Sequence, residues 1–280
     1  MKRIAYILVW ANALLLGACT DLLEMDDIYV GEVETKAGNW ETVEVKLETA
    51  GTLAEKLGDK KDVVEKLIIS GLFDADDVVA MRVLPKLQAI DMKDVTIVGS
   101  EKVYHSTING IASKLSDNAI GDFMFNGMHL TEIVLPSNIV SIGAVAFGAD
   151  HPYFFSNDNT FETIVIPETV ASIGNAAFRG CSKLNAIVIP ERVKILGSEV
   201  LRGCSALKDV ILPTSLEQIP SFMFDGCSSL EAVAIPQGVK NIENGAFSNC
   251  TALKEILLPS GLESLGAAFT NSGASIYIYT

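Results

Sequence analysis

The stretch CSKLNAIVIPERVKILGSEVLRG, residues 181–203, recurs along the second half of the chain with a step of 23 residues. Four kinds of position keep that step: a large apolar residue, a cysteine, a leucine and an isoleucine or leucine. These positions are Phe178, Leu201, Phe224 and Phe247; Cys181, Cys204, Cys227 and Cys250; Leu184, Leu207, Leu230 and Leu253; and Ile173, Leu196, Ile219 and Ile242. Their common period indicates a repeat protein in which each unit forms one coil.

Each unit contains a short alternating segment that predicts a β-strand. Residues 184–190, LNAIVIP, place apolar side chains on one face, and the proline ends the strand because it has no N–H to donate. Val193 and Leu196 then return the chain to the core, and Gly180 suits a tight turn. One unit cannot bury its own apolar face, so stacked units about 4.7–4.9 Å apart are predicted to share one core.

The outward positions of the predicted strands are also apolar, which is unusual for a solvated face. These positions are Val165, Val188, Ile211, Ala234 and Leu257. Either a second layer covers them or they form an adhesive strip that is open to a partner. Of the two, we expect the covering layer.

The repeat unit Ile-x-Ile-Pro-x-x-Val-x-x-Ile-Gly-x-x-Ala-Phe-x-x-Cys-x-x-Leu resembles the BspA-like leucine-rich repeats of bacterial surface proteins. The resemblance is close over residues 117–280 and extends into residues 42–116, where Leu67, Ile90 and Ile133 continue the inward positions. It implies an α/β fold, a leucine-rich-repeat solenoid of short strands stacked in a sheet and capped by a helix-containing N-terminal region. It also implies adhesion or binding to host or extracellular molecules, and it supplies no catalytic residues.

The two ends of the repeat array carry their own patterns. Asp74 is predicted to cap a helix over roughly residues 75–84, with Asp77 completing a capping box. At the other end, residues 275–280 alternate and predict a closing strand. Both segments are expected to protect the ends of the stack, because an open end exposes core residues and an unpaired strand edge.

The beginning of the chain predicts a lipoprotein signal peptide over residues 1–18. A basic Met1-Lys2-Arg3 precedes an apolar run that is shorter than the roughly 20 residues of a membrane span, and small residues then lead to Cys19. The segment resembles bacterial lipoprotein signals, which implies cleavage before Cys19 and lipidation of its thiol. The alternative is an ordinary secretory signal followed by an incidental cysteine.

Residues 19–41 are polar and acidic, and they predict a flexible tether. An acidic stretch directly behind the lipidated cysteine resembles the surface-export signal of Bacteroidetes lipoproteins. This resemblance implies a lipid-anchored protein of the outer membrane that is exposed at the cell surface. An orientation toward the periplasm stays open.

Charge and composition narrow the range of partners. The formal net charge is −14, which repels nucleic acid and anionic lipid headgroups. We therefore expect no nucleic-acid partner and contact with the membrane only through the lipid anchor.

Hydrophobic residues make up 49% of the chain but aromatic residues only 7%, so the core is mostly aliphatic, as suits many thin stacked layers.

The four cysteines of the repeat are predicted to be buried free thiols that act as small apolar residues. Zinc sites need close cysteine pairs, which a spacing of 23 residues does not supply. Equivalent side chains on neighbouring coils point the same way, so their Cβ atoms lie farther apart than the roughly 3.8 Å of a disulfide. Export through an oxidising compartment is the argument against free thiols.

No catalytic or metal site is evident in the sequence. The histidines His105, His129 and His151 lie in three separate segments, and no catalytic motif accompanies them. The acidic run 74–77 does not fit a calcium loop, because Val79 and Pro85 occupy the places of its glycine and glutamate. We expect neither an enzyme nor a bound metal or cofactor.

One repeat carries an insertion. Pro136 and Pro167 are 31 residues apart, eight more than the repeat step, and the extra residues lie in GADHPYFFSNDNT, residues 148–160. Insertions in solenoids form loops, often on a binding face, and exposed aromatic residues favour recognition. The candidate binding residues are His151, Tyr153, Phe154, Phe155, Asn157 and Asp158. The alternative is that the aromatic residues fold back and plug the side of the solenoid.

These features together predict a monomeric, non-catalytic adhesion lipoprotein that recognises a host or extracellular protein, or a glycan, through its repeat surface. One alternative is a lipoprotein that captures a glycan or peptide for a neighbouring transporter. A second alternative is a structural protein of the cell envelope.

Overall fold

The computed structural model describes residues 40–106, 112–148 and 159–278 as a β-solenoid with few helices. The predicted signal peptide, Cys19 and nearly all of the tether lie outside the described residues. So do His151, Tyr153, Phe154, Phe155, Asn157 and Asp158 of the insertion.

The N-terminal region is built around parallel strands that lead directly into the repeats. Its elements are β1 (Thr42–Leu47), α1 (Leu53–Leu57), a 3-10 helix (Gly58–Asp62), β2 (Lys66–Phe73), α2 (Ala75–Arg82), β3 (Ala89–Ile97), β4 (Ser100–Ser106) and β5 (Ala112–Leu115). β3 pairs with β7 (Glu132–Val134), the first repeat strand of the sheet β1-β2-β3-β7. Leu67 pairs with Ile90 and Ile90 with Ile133, which confirms that this region adds strands to the repeat sheet.

The repeats form two rows of short strands, which face different sides of each coil. The first row continues from β7 with β10 (Ala186–Val188), β12 (Asp209–Ile211), β15 (Glu255–Leu258) and β17 (Ser275–Ile278). The second row consists of β6 (Ala119–Ile120), β8 (Ser141–Ile142), β9 (Ser172–Ile173), β11 (Ile195–Leu196), β13 (Gln218–Ile219), β14 (Asn241–Ile242) and β16 (Ser264–Leu265). The sequence predicted the first row and the closing strand, but it predicted only a return of the chain where the second row lies.

Neither row is one continuous sheet. The first row is divided into β1-β2-β3-β7, β10-β12 and β15-β17, and the second into β11-β9-β8-β6 and β13-β14-β16. Residues 164–166 and 233–235 lie outside assigned strands, although Ile164, Ile166, Val233 and Ile235 are still buried. The solenoid is therefore held together as much by its stacked core as by ladder hydrogen bonds.

The core contains a stack of aromatic rings along the solenoid axis. Phe147 lies between Phe125 and Phe178, with ring centroids 5.1 Å away on each side and nearly parallel planes. Farther along, Phe247 stacks on Phe224 at 5.2 Å. Leu201 occupies the equivalent position between the two groups and is fully buried. A column of this kind requires the same coil shape in each unit, which explains the constant repeat length.

The four repeat cysteines are buried thiols that form no disulfide in the described part of the chain, which confirms the prediction from their spacing. They also do more than fill space, because each thiol donates to a backbone carbonyl of the preceding coil. The Sγ of Cys204 lies 3.2 Å from the carbonyl oxygen of Phe178, and that of Cys250 lies 3.1 Å from the carbonyl oxygen of Phe224. The carbonyl oxygens of Phe178 and Phe224 also accept from the backbone N–H groups of Cys181, at 3.1 Å, and Cys227, at 3.0 Å. The thiols therefore give these oxygens a second hydrogen bond, which comes from the next coil.

Two kinds of glycine allow the coils to turn and to approach each other. Gly180 has φ = 74°, and Asn249 at an equivalent turn has φ = 56°, as the sequence predicted for this position. At Gly197 a Cβ atom would lie 2.4 Å from the backbone nitrogen of Asn175 in the preceding coil. The Ile-Gly pair of the repeat therefore marks a point of close contact between backbones.

Helix α2 connects the N-terminal region to the repeats through hydrogen bonds from its last residue. Asp74 accepts hydrogen bonds from the N–H groups of Asp76 and Asp77, and the side chain of Asp77 accepts in return from the N–H of Asp74, as predicted for a capping box. The helix ends at Arg82, two residues before the predicted end. The guanidinium group of Arg82 donates to the carbonyl oxygens of Phe123, at 2.6 Å, and Met124, at 3.0 Å, in the first coil.

Candidate binding surfaces

The outward positions of the first strand row form a line of apolar side chains, here called the apolar strip. Its members are Val134, Val165, Val188, Ile211, Ala234, Leu257 and Tyr277. Strand pairing sets Val188 beside Ile211 and Leu257 beside Tyr277. With neighbouring coils about 4.8 Å apart, seven members give a line roughly 29 Å long.

The apolar strip is open to solvent within the part of the chain that the structure describes. Val165 is 43% exposed and Tyr277 is 54% exposed. Val188 and Ile211, which are paired across neighbouring strands, are half-buried. The second layer that we expected over these positions is therefore wrong for the described residues, and the other interpretation, an exposed adhesive strip, agrees with the structure.

Three carboxylates border the apolar strip on the same face, and the first of them, Glu132, lies two residues before Val134 and pairs with Lys66 at 3.4 Å. Asp209 and Glu255 lie two residues before Ile211 and Leu257, and therefore point to the same side of their strands. Burial raises the pKa of the Asp209 carboxyl, since the apolar neighbours exclude water from it. A partner with negative charge at this position would repel the carboxylates, which binding would also remove from water. The strip therefore favours contact with an apolar or neutral surface.

A second surface feature lies on the other strand row, over β13, β14 and β16. It is an open hollow of about 460 Å³, here called the polar hollow. Its lining residues are Gln218, Ser221, Asn241, Ile242, Glu243, Asn244, Ser264 and Gly266. Except for Ile242 at its base, the lining side chains are amides, hydroxyls and one carboxylate.

A third, smaller depression of about 320 Å³ lies near Arg179 and Glu199. Its charged groups already pair with each other, because the Arg179 guanidinium donates to the Glu199 carboxylate at 3.0 Å. The same carboxylate accepts from Arg202, which also donates to Asp225 at 2.8 Å. This ion-pair network runs from coil to coil and is best explained as support for the stack.

The same side of the solenoid carries a column of residues in the left-handed backbone region. Val145 has φ = 54°, Ala176 has φ = 55° and Glu199 has φ = 61°, although none of them is glycine. This conformation directs the N–H of Ala176 to the carbonyl oxygen of Ser198, at 2.8 Å, in the next coil. The strain is thus compensated by hydrogen bonds between coils and does not by itself indicate a site.

The two ends of the insertion are firmly placed, although its candidate residues lie outside the described part. Asn159 is buried, accepts from the N–H of Leu130 at 3.0 Å, and donates to the carbonyl oxygens of Phe125, at 2.8 Å, and Phe147, at 3.1 Å. Its amide thereby takes the role that the cysteine thiol has in later coils. Phe161 packs edge-on against Phe147 at 6.0 Å. Whether the loop binds a ligand or plugs the solenoid stays a prediction.

No arrangement for metal chemistry occurs among residues 40–106, 112–148 and 159–278, where no group of three His, Cys, Asp or Glu side chains could hold an ion. His105 stacks on Phe123 with ring centroids 4.8 Å apart.

In the same described ranges, none of the helices has the length and apolar character that crossing a membrane requires.

Solved structures of other bacterial proteins resemble this chain. A leucine-rich repeat protein from Bacteroides ovatus is 25% identical, with a TM-score of 0.55 over 74% of this chain and 46% of its own. A leucine rich cell surface protein from Faecalibacterium prausnitzii is 20% identical, with a TM-score of 0.45 over 78% of this chain and 61% of its own. The chain thus spans less than half the length of the Bacteroides protein. A comparison with curated proteins gave no significant match.

The family assignment rests on the repeats themselves. The model of the BspA type leucine rich repeat region matches six copies, over residues 84–150 and 151–275, which is more than half of the chain. The matched residues include the second strand row, most of the first, the aromatic column and the four cysteines described above. The chain therefore belongs to the BspA type leucine-rich-repeat family.

Proposed function

We propose that the protein is a non-catalytic cell-surface binding protein that attaches to an extracellular or host protein through the apolar strip. The exposure of the strip is the observation that carries this proposal. Apolar side chains lie in one straight line on a rigid support, and soluble proteins seldom expose such a line without a partner. The family is one of repeat proteins that bind or support other molecules, and it supplies no catalytic residues.

The energetics favour a partner that covers several coils at once. Burial of apolar surface contributes about 25 cal/mol per Å². Any single member of the strip offers only a limited apolar area, so useful affinity needs contact with several of them. The fixed spacing of the coils keeps these contacts in place before binding, which reduces the entropy lost on association. A monomer anchored through a lipidated Cys19 in the outer membrane would present this surface outward.

The binding proposal is tested with the full-length chain in detergent against immobilised extracellular matrix and plasma proteins. We expect V188E with I211E to weaken binding at least 100-fold, because two carboxylates in the middle of the strip would be desolvated. The matched control is V140E with I195E, since these apolar residues are 48% and 66% exposed but lie off the strip. If the strip variant bound as tightly as the control, the strip would not be the binding surface.

The same assay tests the insertion separately. Y153A with F154A should weaken binding if the loop contacts the partner, and should leave it unchanged if the loop plugs the solenoid.

The proposed location is tested by proteinase treatment of intact cells, with a periplasmic protein as internal control. We expect the chain to be removed while the control survives, because an outer-leaflet lipoprotein is accessible from outside. Resistance of the chain until the outer membrane is broken would contradict surface exposure. An envelope or periplasmic partner would then replace the extracellular one.

A further inference from the structure

The polar hollow brings together side chains from three successive coils. Pairing of the second strand row sets Gln218 beside Asn241 and Asn241 beside Ser264. Strand spacing then gives a row of three polar groups about 10 Å long. The next outward position upstream in the row is Ile195, which is apolar and 66% exposed, so it separates the polar hollow from the serines of the earlier coils.

Several hydrogen-bonding groups of the polar hollow are unpaired within the part of the chain that the structure describes. The side chains of Asn241 and Ser264 have no hydrogen-bond partner there. The Asn244 amide accepts from the N–H of Ala267 at 2.9 Å, which leaves its NH₂ group available. Donors and acceptors thus converge on one open space.

The single carboxylate of the polar hollow is already engaged. Glu243 accepts from the amide of Gln218 at 2.6 Å and from the hydroxyl of Ser221. These bonds fix the side chains of Gln218 and Ser221 in place. One occupied carboxylate is a poor site for a cation, and together with the net charge of −14 it disfavours an anion.

We infer that the polar hollow binds a neutral sugar residue of a glycan. A sugar hydroxyl both donates and accepts, and asparagine amides and a serine hydroxyl offer both functions in return. The volume of about 460 Å³ falls in the range of ligand sites, about 300–1,000 Å³. Because the hollow is open to solvent, it suits one sugar residue of a longer glycan better than a small molecule that would have to be fully enclosed.

This inference goes beyond the proposed protein-binding function, and a different set of residues carries it. The polar hollow lies on the second strand row, whereas the apolar strip lies on the first. The two surfaces can therefore be disabled separately, and failure of one proposal does not affect the other.

The test is saturation-transfer NMR on the full-length chain in a detergent without a sugar headgroup. The probes are neutral oligosaccharides of glucose, galactose, mannose and N-acetylglucosamine, with sialylated and sulfated oligosaccharides for comparison. We expect at least one neutral probe to bind. N241A with S264A should weaken its binding at least tenfold, because these two side chains supply hydrogen bonds to the sugar and none within the described protein.

The matched control is S141A with S172A, two serines in the same row of upstream coils that lie outside the polar hollow. This control should bind the sugar as tightly as the unaltered chain does. Both double variants, N241A with S264A and S141A with S172A, should melt at the same temperature as the unaltered chain. Three results would each overturn the inference: no neutral probe binds, the anionic probes bind better, or N241A with S264A binds as well as the control. Sugar binding lost in V188E with I211E instead would move the site to the apolar strip.

Discussion

F147A is expected to lower the free energy of unfolding by about 3–5 kcal/mol. The ring of Phe147 is fully buried and stacks between Phe125 and Phe178, with the edge of Phe161 against it. Its removal takes away apolar burial and leaves a cavity that two rigid neighbouring coils cannot collapse to fill. The cavity also lies where the insertion begins, so it would weaken the packing between the coils that precede the insertion and the coils that follow it.

Urea denaturation followed by circular dichroism measures this effect. The control is F147L, because Leu201 already occupies the same column and is fully buried there. We expect F147L to lose about 1–2 kcal/mol, since most of the volume is kept. A loss below about 1 kcal/mol for F147A would show that the aromatic column does not hold the stack together.

The inward part of the fold could be predicted in detail from the sequence. Leu67, Ile90 and Ile133 were placed in one ladder by their spacing, and they pair in that register. A buried position tolerates few residue types, so its period survives in the sequence even where the N-terminal region departs from the repeat. The helix cap at Asp74 was equally visible, because capping depends on neighbouring residues alone.

The second strand row and the strained column could not be predicted in this way. Each strand of the second row has two residues, which is too short to show an alternation. Val145 and Glu199 adopt positive φ because their N–H groups donate to carbonyl oxygens of the next coil, and nothing in these residue types indicates that conformation. Asn159 was missed as well, since the insertion shifts it out of phase with the cysteines whose role it takes.

The candidate surfaces were visible only in part. The sequence identified the apolar outward positions, but whether a layer covers them depends on segments far away in the chain, and the structure decided this. The polar hollow left a signal in the 23-residue spacing of Gln218, Asn241 and Ser264. That spacing shows that the side chains form a row, but the space in front of them is set by Ser221 and Gly266 on the adjoining turns.

Alkaline conditions are expected to destabilise the protein steeply, because the repeat thiols are buried. Burial raises the pKa of Cys204 and of Cys250 to about 12, against an ordinary value of 9.0. Between these values the folded chain keeps protons that the unfolded chain releases, so the free energy of unfolding falls as pH rises. Each such thiol contributes about 1.4 kcal/mol per pH unit, so the two together remove about 5 kcal/mol between pH 9 and pH 11.

Denaturant midpoints measured from pH 7 to pH 11 give the size of this effect. C204A with C250A should flatten the decline above pH 9, although it lowers stability at pH 7 by removing the two thiol hydrogen bonds. Tyr104 also has a pKa raised by burial, and it accounts for part of the slope that remains in the variant. An unchanged slope in the variant, or fewer than four repeat thiols titrated in denaturant, would mean that the ladder does not consist of buried neutral thiols. Fewer than four titrated thiols would indicate disulfide-linked coils, whose stability depends on reductant. An unchanged slope would mean that other groups, such as Tyr104, cause the pH dependence.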